Sequence, residues 1–232
     1  QTKKDRKENS GQPAYPCVNV DDHHSGLSAV KEFDNKKGDF YSNTYKAYNL
    51  VLAFACSILI IFDQLIAKLI YSNDFYIAWK YVPFLLISAM FAALNAFLDS
   101  IFAANMDSKQ VAKATITGAI INAVLNIVLI HFIGTVGAAI ATMVSYFCMW
   151  IIKHIKISKV VELGSNMAKV FSTYAILLAQ AVIIFAVQNI WLKHIVAILL
   201  LAILILMNIR EIKIIANKAK SVLKSKLSKS EG

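Results

Sequence analysis

Residues 114–152 read ATITGAIINAVLNIVLIHFIGTVGAAIATMVSYFCMWII, 39 consecutive positions without Asp, Glu, Lys or Arg. A helix that crosses a hydrocarbon core of ~30 Å needs about 20 mainly apolar residues, so this stretch is nearly twice too long for one crossing and has to fold back. The turning point is legible at His131-Phe132-Ile133-Gly134-Thr135-Val136-Gly137, where two glycines supply the backbone freedom of a tight helix hairpin. The pattern predicts two membrane helices, at 113–132 and 135–153.

The same arithmetic extends in both directions. Residues 170–209 exceed one span, and Lys193-His194 divides them into 170–191 and 194–209, with Trp191 at an interface. Upstream, a first helix is expected over 47–70, charge-free from Ala47 to Phe62 and closed by Asp63 and Lys68, with Tyr71 and Tyr76 at interfacial depth. A second is expected over 81–104, marked by Trp79 and Lys80 and tolerating Pro83 in its first turn. The expected class is an all-α, polytopic membrane helix bundle of about six transmembrane helices. Its predicted parts are a polar N-terminal segment 1–46, a six-helix domain 47–209 and a basic tail 210–232.

Composition agrees. Hydrophobic residues make up 58% and charged ones 16%, with mean hydropathy +0.58, far from a soluble domain in which about a quarter of residues are charged. The runs lack the strict alternation of a membrane β-barrel. The net charge of +10 lies in tails and loops rather than on a folded basic face, which argues against a nucleic-acid partner. On the expected topology, 21 of the 24 Lys and Arg fall on one side, leaving only Lys68, Lys80 and Lys193 opposite. Positive loops are retained in the cytoplasm, so an even number of crossings with both termini cytoplasmic is expected.

Polar side chains at membrane depth are the functional candidates. Asn95 and Asp99 lie four apart on the second helix, and Asn122 and Asn126 four apart on the third, so each pair shares one helix face. If the faces meet, they line a hydrated cavity for a polar substrate; the competing reading is that the amides bond each other and hold helices together. Asp99 is either a cavity carboxylate or an interfacial one, and Asp63 has the same alternatives, with Lys68 as a candidate partner. On the fourth helix Gly134, Ala138, Thr142 and Gly137, Ala141, Ser145 form two small-residue ridges suited to close packing. Gln180, Gln188 and Asn189 are candidates to face an interior. Cys17, Cys56 and Cys148 have no metal-knuckle or disulfide spacing, and His23, His24, His131, His154 and His194 read as solvated or interfacial, so no metal and no cofactor is expected. No catalytic motif is visible, so an enzyme is not expected. In the tail, apolar residues at helical spacing with Lys around them predict an amphipathic helix on the inner leaflet, its partner being membrane lipid.

Three stretches also carry a family resemblance: Tyr71-Ser72-Asn73-Asp74-Phe75-Tyr76-Ile77-Ala78-Trp79-Lys80-Tyr81-Val82-Pro83 with Ile101-Phe102-Ala103-Ala104; Thr117-Gly118-Ala119-Ile120-Ile121-Asn122-Ala123-Val124-Leu125-Asn126; and Gly134-Thr135-Val136-Gly137-Ala138-Ala139-Ile140-Ala141-Thr142. Together they resemble Wzx-type O-antigen and capsule repeat-unit flippases of the multidrug/oligosaccharidyl-lipid/polysaccharide exporter superfamily, over about residues 38–210. The resemblance implies the C-terminal part of a 14-helix flippase, its six helices being the last six, with another bundle expected before them and residues 1–26 unlike the family. It also implies a bacterial cytoplasmic (inner) membrane location and an undecaprenyl-diphosphate-linked oligosaccharide as cargo, for which Asn95, Asp99, Asn122 and Asn126 are the substrate-cavity candidates. The alternatives are a cation-coupled multidrug exporter of the same superfamily and a non-transporting scaffold for polysaccharide polymerase and glycosyltransferases.

Overall fold

The structure is a computed structural model that describes the backbone of residues 23–70, 79–104, 108–159, 166–187 and 189–230, and side chains for most of these from 38 to 217. The expectations for Cys17, Tyr71, Tyr76, Gln188, the side chains of His23 and His24, and those of the tail beyond Asn217 lie outside the described residues. Two compact units divide the chain, 1–37 and 38–232; in the first, only the helical backbone from His23 is described.

Every regular segment among the described residues is helical: α1 (His23–Ile61), α2 (Asp63–Ile70), α3 (Val82–Ala104), α4 (Ser108–Ile133), α5 (Thr135–Ile157), α6 (Met167–Ala186) and α7 (Ile190–Ser230). Six are long and apolar enough to cross a membrane, α1 through Gly38–Ile61 and α7 through Ile190–Asn217. The chain therefore has the make-up of a multi-pass membrane protein.

The hairpin between α4 and α5 turns on Gly134 alone. Its φ of 62° and ψ of −145° lie where a side chain is not tolerated without strain. One turn later Gly137 lets the helices touch: a Cβ there would sit 2.4 Å from the carbonyl oxygen of Leu129 on α4. Ala141 and Ser145 continue this buried ridge. Small residues let helices approach where apolar transfer supplies little driving force, because lipid tails are as apolar as Leu.

Three boundaries depart from the sequence expectation. The first helix starts well before residue 47, since the polar approach already turns inward at Tyr45, which is completely buried; it is interrupted at Phe62. The break between the last two spans falls at 187–189 rather than at Lys193-His194. Val187 is extended, and Asn189 Oδ1 accepts from the backbone N–H of Trp191 (3.1 Å) and Leu192 (3.2 Å), an N-terminal cap that starts α7. Lys193 is thereby drawn into the helix. Finally, α7 runs unbroken from the last span into the basic tail; none of its 41 residues is Gly or Pro, so no breaker interrupts it.

Within residues 38–232, α4 packs on α5, α5 on α3, α3 on α6 and α6 on α7. The fully buried centre includes Leu94, Leu98, Ile101, Trp150, Leu177 and Ile184. At the edge, α4 buries only Ala114 and Gly118, leaving Ile116, Ile120, Val124 and Ile127 uncovered. An apolar face of that extent is a liability in water and is solvated without penalty by hydrocarbon.

Candidate functional site

A line of buried polar groups runs along α1. Tyr45, Asn49 and Ser57 follow one another at about helical spacing, each meeting a different neighbour, and Asp63 lies beyond the break at Phe62. Tyr45 Oη accepts from Trp150 Nε1 on α5 at 2.8 Å and lies 3.5 Å from His154 Nδ1. The Tyr174 hydroxyl of α6 donates to Asn49 Oδ1 at 2.8 Å. Deeper along the helix, the Ser57 hydroxyl donates to Gln180 Oε1 (2.8 Å), and Gln180 Nε2 donates to the Ala197 carbonyl of α7 (2.9 Å). Gln180, with no exposed surface, thus faces the interior as anticipated and ties three helices together.

Aromatic rings enclose the first of these contacts. Phe91 meets Tyr174 edge-on at 4.9 Å between centroids, Trp150 meets Tyr174 edge-on at 5.2 Å, and Phe147 stacks on Trp150 at 5.9 Å. His154, expected to be solvated or interfacial, lies in this cluster at 4% exposure, its ring 5.1 Å from that of Trp150. Near its loop in sequence, it occupies an inward position of α5 that the loop position does not disclose.

The four candidate residues separate into two places. Asn95 Nδ2 donates to the carbonyls of Phe91 (2.9 Å) and of Tyr146 on α5 (3.0 Å), while its Oδ1 is buried without a hydrogen-bond partner. One turn on, Asp99 receives the Lys153 ammonium, 2.7 Å from Oδ1 and 2.9 Å from Oδ2. Lys153, the last residue of the expected 135–153 span, is inside α5 and 1% exposed, whereas Asp99 keeps 34% of its side chain open. The carboxylate is thus ion-paired through a buried Oδ1 and open on its other side. Asn122 and Asn126 are half-buried on α4, where Asn126 Nδ2 donates to Asn122 through its backbone carbonyl (3.0 Å) and its side-chain oxygen. No hydrogen bond joins the two pairs: Asn95 and Asp99 reach α5, whereas the Asn122–Asn126 bonds stay within α4.

At the same end as Asp99, Lys156 on α5 donates to Gln110 on α4, and Lys169 on α6 pairs with Glu211 on α7 at 2.5 Å. At the opposite end, where α2, the turn before α3 and the start of α7 meet, Asp63 is completely buried and neither carboxylate oxygen has a hydrogen-bond partner. Lys68, its expected partner, is exposed and makes no ion pair with it; the charge that acts on Asp63 is that of Lys193, 3% exposed. Asp63 lies just outside the Gly38–Ile61 span, and burial pushes its carboxyl up from the ordinary range to about 7, against the opposing pull of the Gln64 backbone amide and Lys193.

Tyr45, Asn49, Lys153, Tyr174 and Lys193 escaped sequence reasoning. The recurrence of Tyr45, Asn49 and Ser57 on one face of α1 was the available signal, hidden because the helix was begun after Tyr45. No family model matches this chain, and no curated protein and no solved structure is detectably similar to it.

Proposed function

We propose that this chain is part of a membrane transporter that carries an undecaprenyl-diphosphate-linked oligosaccharide across the bacterial cytoplasmic membrane for cell-surface polysaccharide assembly, as a flippase rather than an enzyme. The reading rests on the three motif stretches. Its main support is the buried polar line through an apolar six-helix array: in hydrocarbon such groups are costly, and they are kept where they serve packing or a substrate path. A sugar chain and a diphosphate cannot be desolvated into lipid, so the headgroup needs a hydrated route while the lipid tail stays in the bilayer. Asn95 Oδ1, the open side of Asp99 and the Asn122–Asn126 pair are the groups assigned to that route. With α4 so little covered, its apolar flank is the face assigned to lipid or to another helix bundle; alternating access in two-bundle transporters works by one bundle rocking against another. Both termini are assigned to the cytoplasm.

Deleting the gene in its cell of origin tests this. Loss of surface polysaccharide with lipid-linked oligosaccharide accumulating inside is the expected result, restored by the wild-type gene and not by one carrying Asn95→Ala, Asp99→Ala, Asn122→Ala and Asn126→Ala together. Intact polysaccharide with altered drug susceptibility would replace the reading with a drug exporter. Polysaccharide loss without oligosaccharide accumulation would replace it with a scaffold for the assembly enzymes.

A further inference from the structure

Asp63 and Lys193 pose a problem that packing does not solve. Both are almost wholly shielded from solvent, they carry opposite formal charges, and they attract one another. Yet neither carboxylate oxygen has a partner at full hydrogen-bond geometry, only the Gln64 backbone amide acting on it besides Lys193, and the ammonium is seated instead over the ring of Trp79, 5.0 Å from its centroid. A cation above an indole face is held by the ring's electrostatic quadrupole, the more so when desolvated. A buried, unpaired carboxylate is far more costly unless it is neutral or paired.

Two arrangements relieve that cost. With a proton on Asp63 the acid is neutral, and Lys193 is free to rest on Trp79, where the structure places it. With the proton released to the aqueous phase, the anion gains by drawing the ammonium off the ring into an ion pair. We propose that Asp63 is a proton-exchange site whose charge state decides whether the Lys193 ammonium rests on the Trp79 ring or pairs with the carboxylate. Because Asp63 opens α2, Trp79 precedes α3 and Lys193 is in the first turn of α7, proton exchange re-ties three elements at this end of the protein.

The surroundings single out this pair. Among the described residues, Lys193 is the charged side chain that acts on Asp63. On α2 itself Lys68 is exposed; next to Trp79, Lys80 is partly exposed; and His194 Nδ1 is engaged 2.7 Å from the Ile190 carbonyl of its own helix. The last turn of α1 offers Ile58 to Ile61, without a titratable group. The raised carboxyl, at about 7, places the exchange near neutral pH. The inference concerns this cluster alone and does not depend on the cargo proposed above.

Two readouts on the purified full chain in lipid nanodiscs test it. The contribution of Trp79 to emission, taken as the difference between wild type and Trp79→Phe, is expected to change in one step between pH 5 and 9, with the step absent in Asp63→Asn and in Lys193→Met. Infrared difference spectra are expected to show a protonated-carboxyl C=O band that disappears over the same pH interval and is missing in Asp63→Asn. Asp63→Glu, which keeps a carboxyl, is expected to restore a step with a displaced midpoint. A wild-type protein with no carboxyl band and no step would overturn the proposal, as would a step that survives in folded Asp63→Asn. The infrared band is read from native protein, so a variant that fails to fold does not leave the question open.

Discussion

The Asp99–Lys153 pair is asymmetric, and the asymmetry makes a prediction. Lys153 is enclosed to 1% exposure, whereas a third of Asp99 reaches out of the packing. Removing the carboxylate strands a buried cation; removing the amine leaves an anion that water can reach. Asp99→Asn is therefore expected to lower stability on the order of 3 kcal/mol, the range for breaking a buried pair. Lys153→Met, which keeps the stem's packing, is expected to cost about 1 kcal/mol, nearer to an exposed pair. The double variant Asp99→Leu with Lys153→Met is expected to recover most of the loss, since it leaves no lone charge. Thermal unfolding in one detergent compares the three, and equal losses from the two single changes would refute the account. Much of this site was hidden from the sequence for a physical reason. Asp99 stood out because a carboxylate in an apolar run is costly, but Lys153, 54 positions away, looks like any lysine at the end of a span. What makes it unusual is burial, a property of how α5 packs on α3. Asn122 and Asn126 were legible as a pair on one helix face, and their bond along α4 follows from that spacing alone.

Helix pairs turned on glycine were the most legible elements. An uncharged run nearly two spans long has to reverse, and Gly134 is where the backbone does it. Close approach by Gly137 was readable as part of a small-residue ridge, though the neighbour it meets was not. The two tight glycines should respond differently to the same substitution. At Gly137 the obstacle is the backbone of Leu129, which cannot swing away, so Gly137→Ala is expected to pry the hairpin apart and cost about 1–3 kcal/mol. At Gly118 the new methyl would meet the Cε of Met149 at 2.5 Å, the far end of an adaptable side chain. Gly118→Ala is expected to fall within about 1 kcal/mol of wild type, because the better helix propensity of Ala offsets the rearrangement. Unfolding of the two variants side by side in detergent provides the check. Helix ends without such punctuation were poorly legible. The start of α1 passes through polar residues that are satisfied only by α5 and α6, and α7 continues past its span because a Lys- and Ile-rich tail contains no breaker.

The whole molecule sorts its charges by end. The pairs Asp99–Lys153 and Lys169–Glu211 and the Lys156–Gln110 bond lie where α3 and α5 end and where α4 and α6 begin. Lys193, over Trp79, is at the opposite end, with the Gly134 turn. Ser108 and Ser158 lie at the first end, and Thr135 and Trp191, which is 81% exposed, at the second. The proposed orientation, with the Lys- and Arg-rich loops inside, makes these ends differ in what reaches them in a living cell. Single cysteines at these four positions, in a background from which Cys17, Cys56 and Cys148 have been removed, are expected to split evenly. A membrane-impermeant maleimide added to intact cells is expected to label Thr135→Cys and Trp191→Cys, and to label Ser108→Cys and Ser158→Cys only after the membrane is opened. The reverse pattern would invert the orientation while leaving the six spans intact. Labelling of all four in intact cells would contradict the crossings themselves, because α4 and α5 would then have to expose both ends of one hairpin to the same compartment.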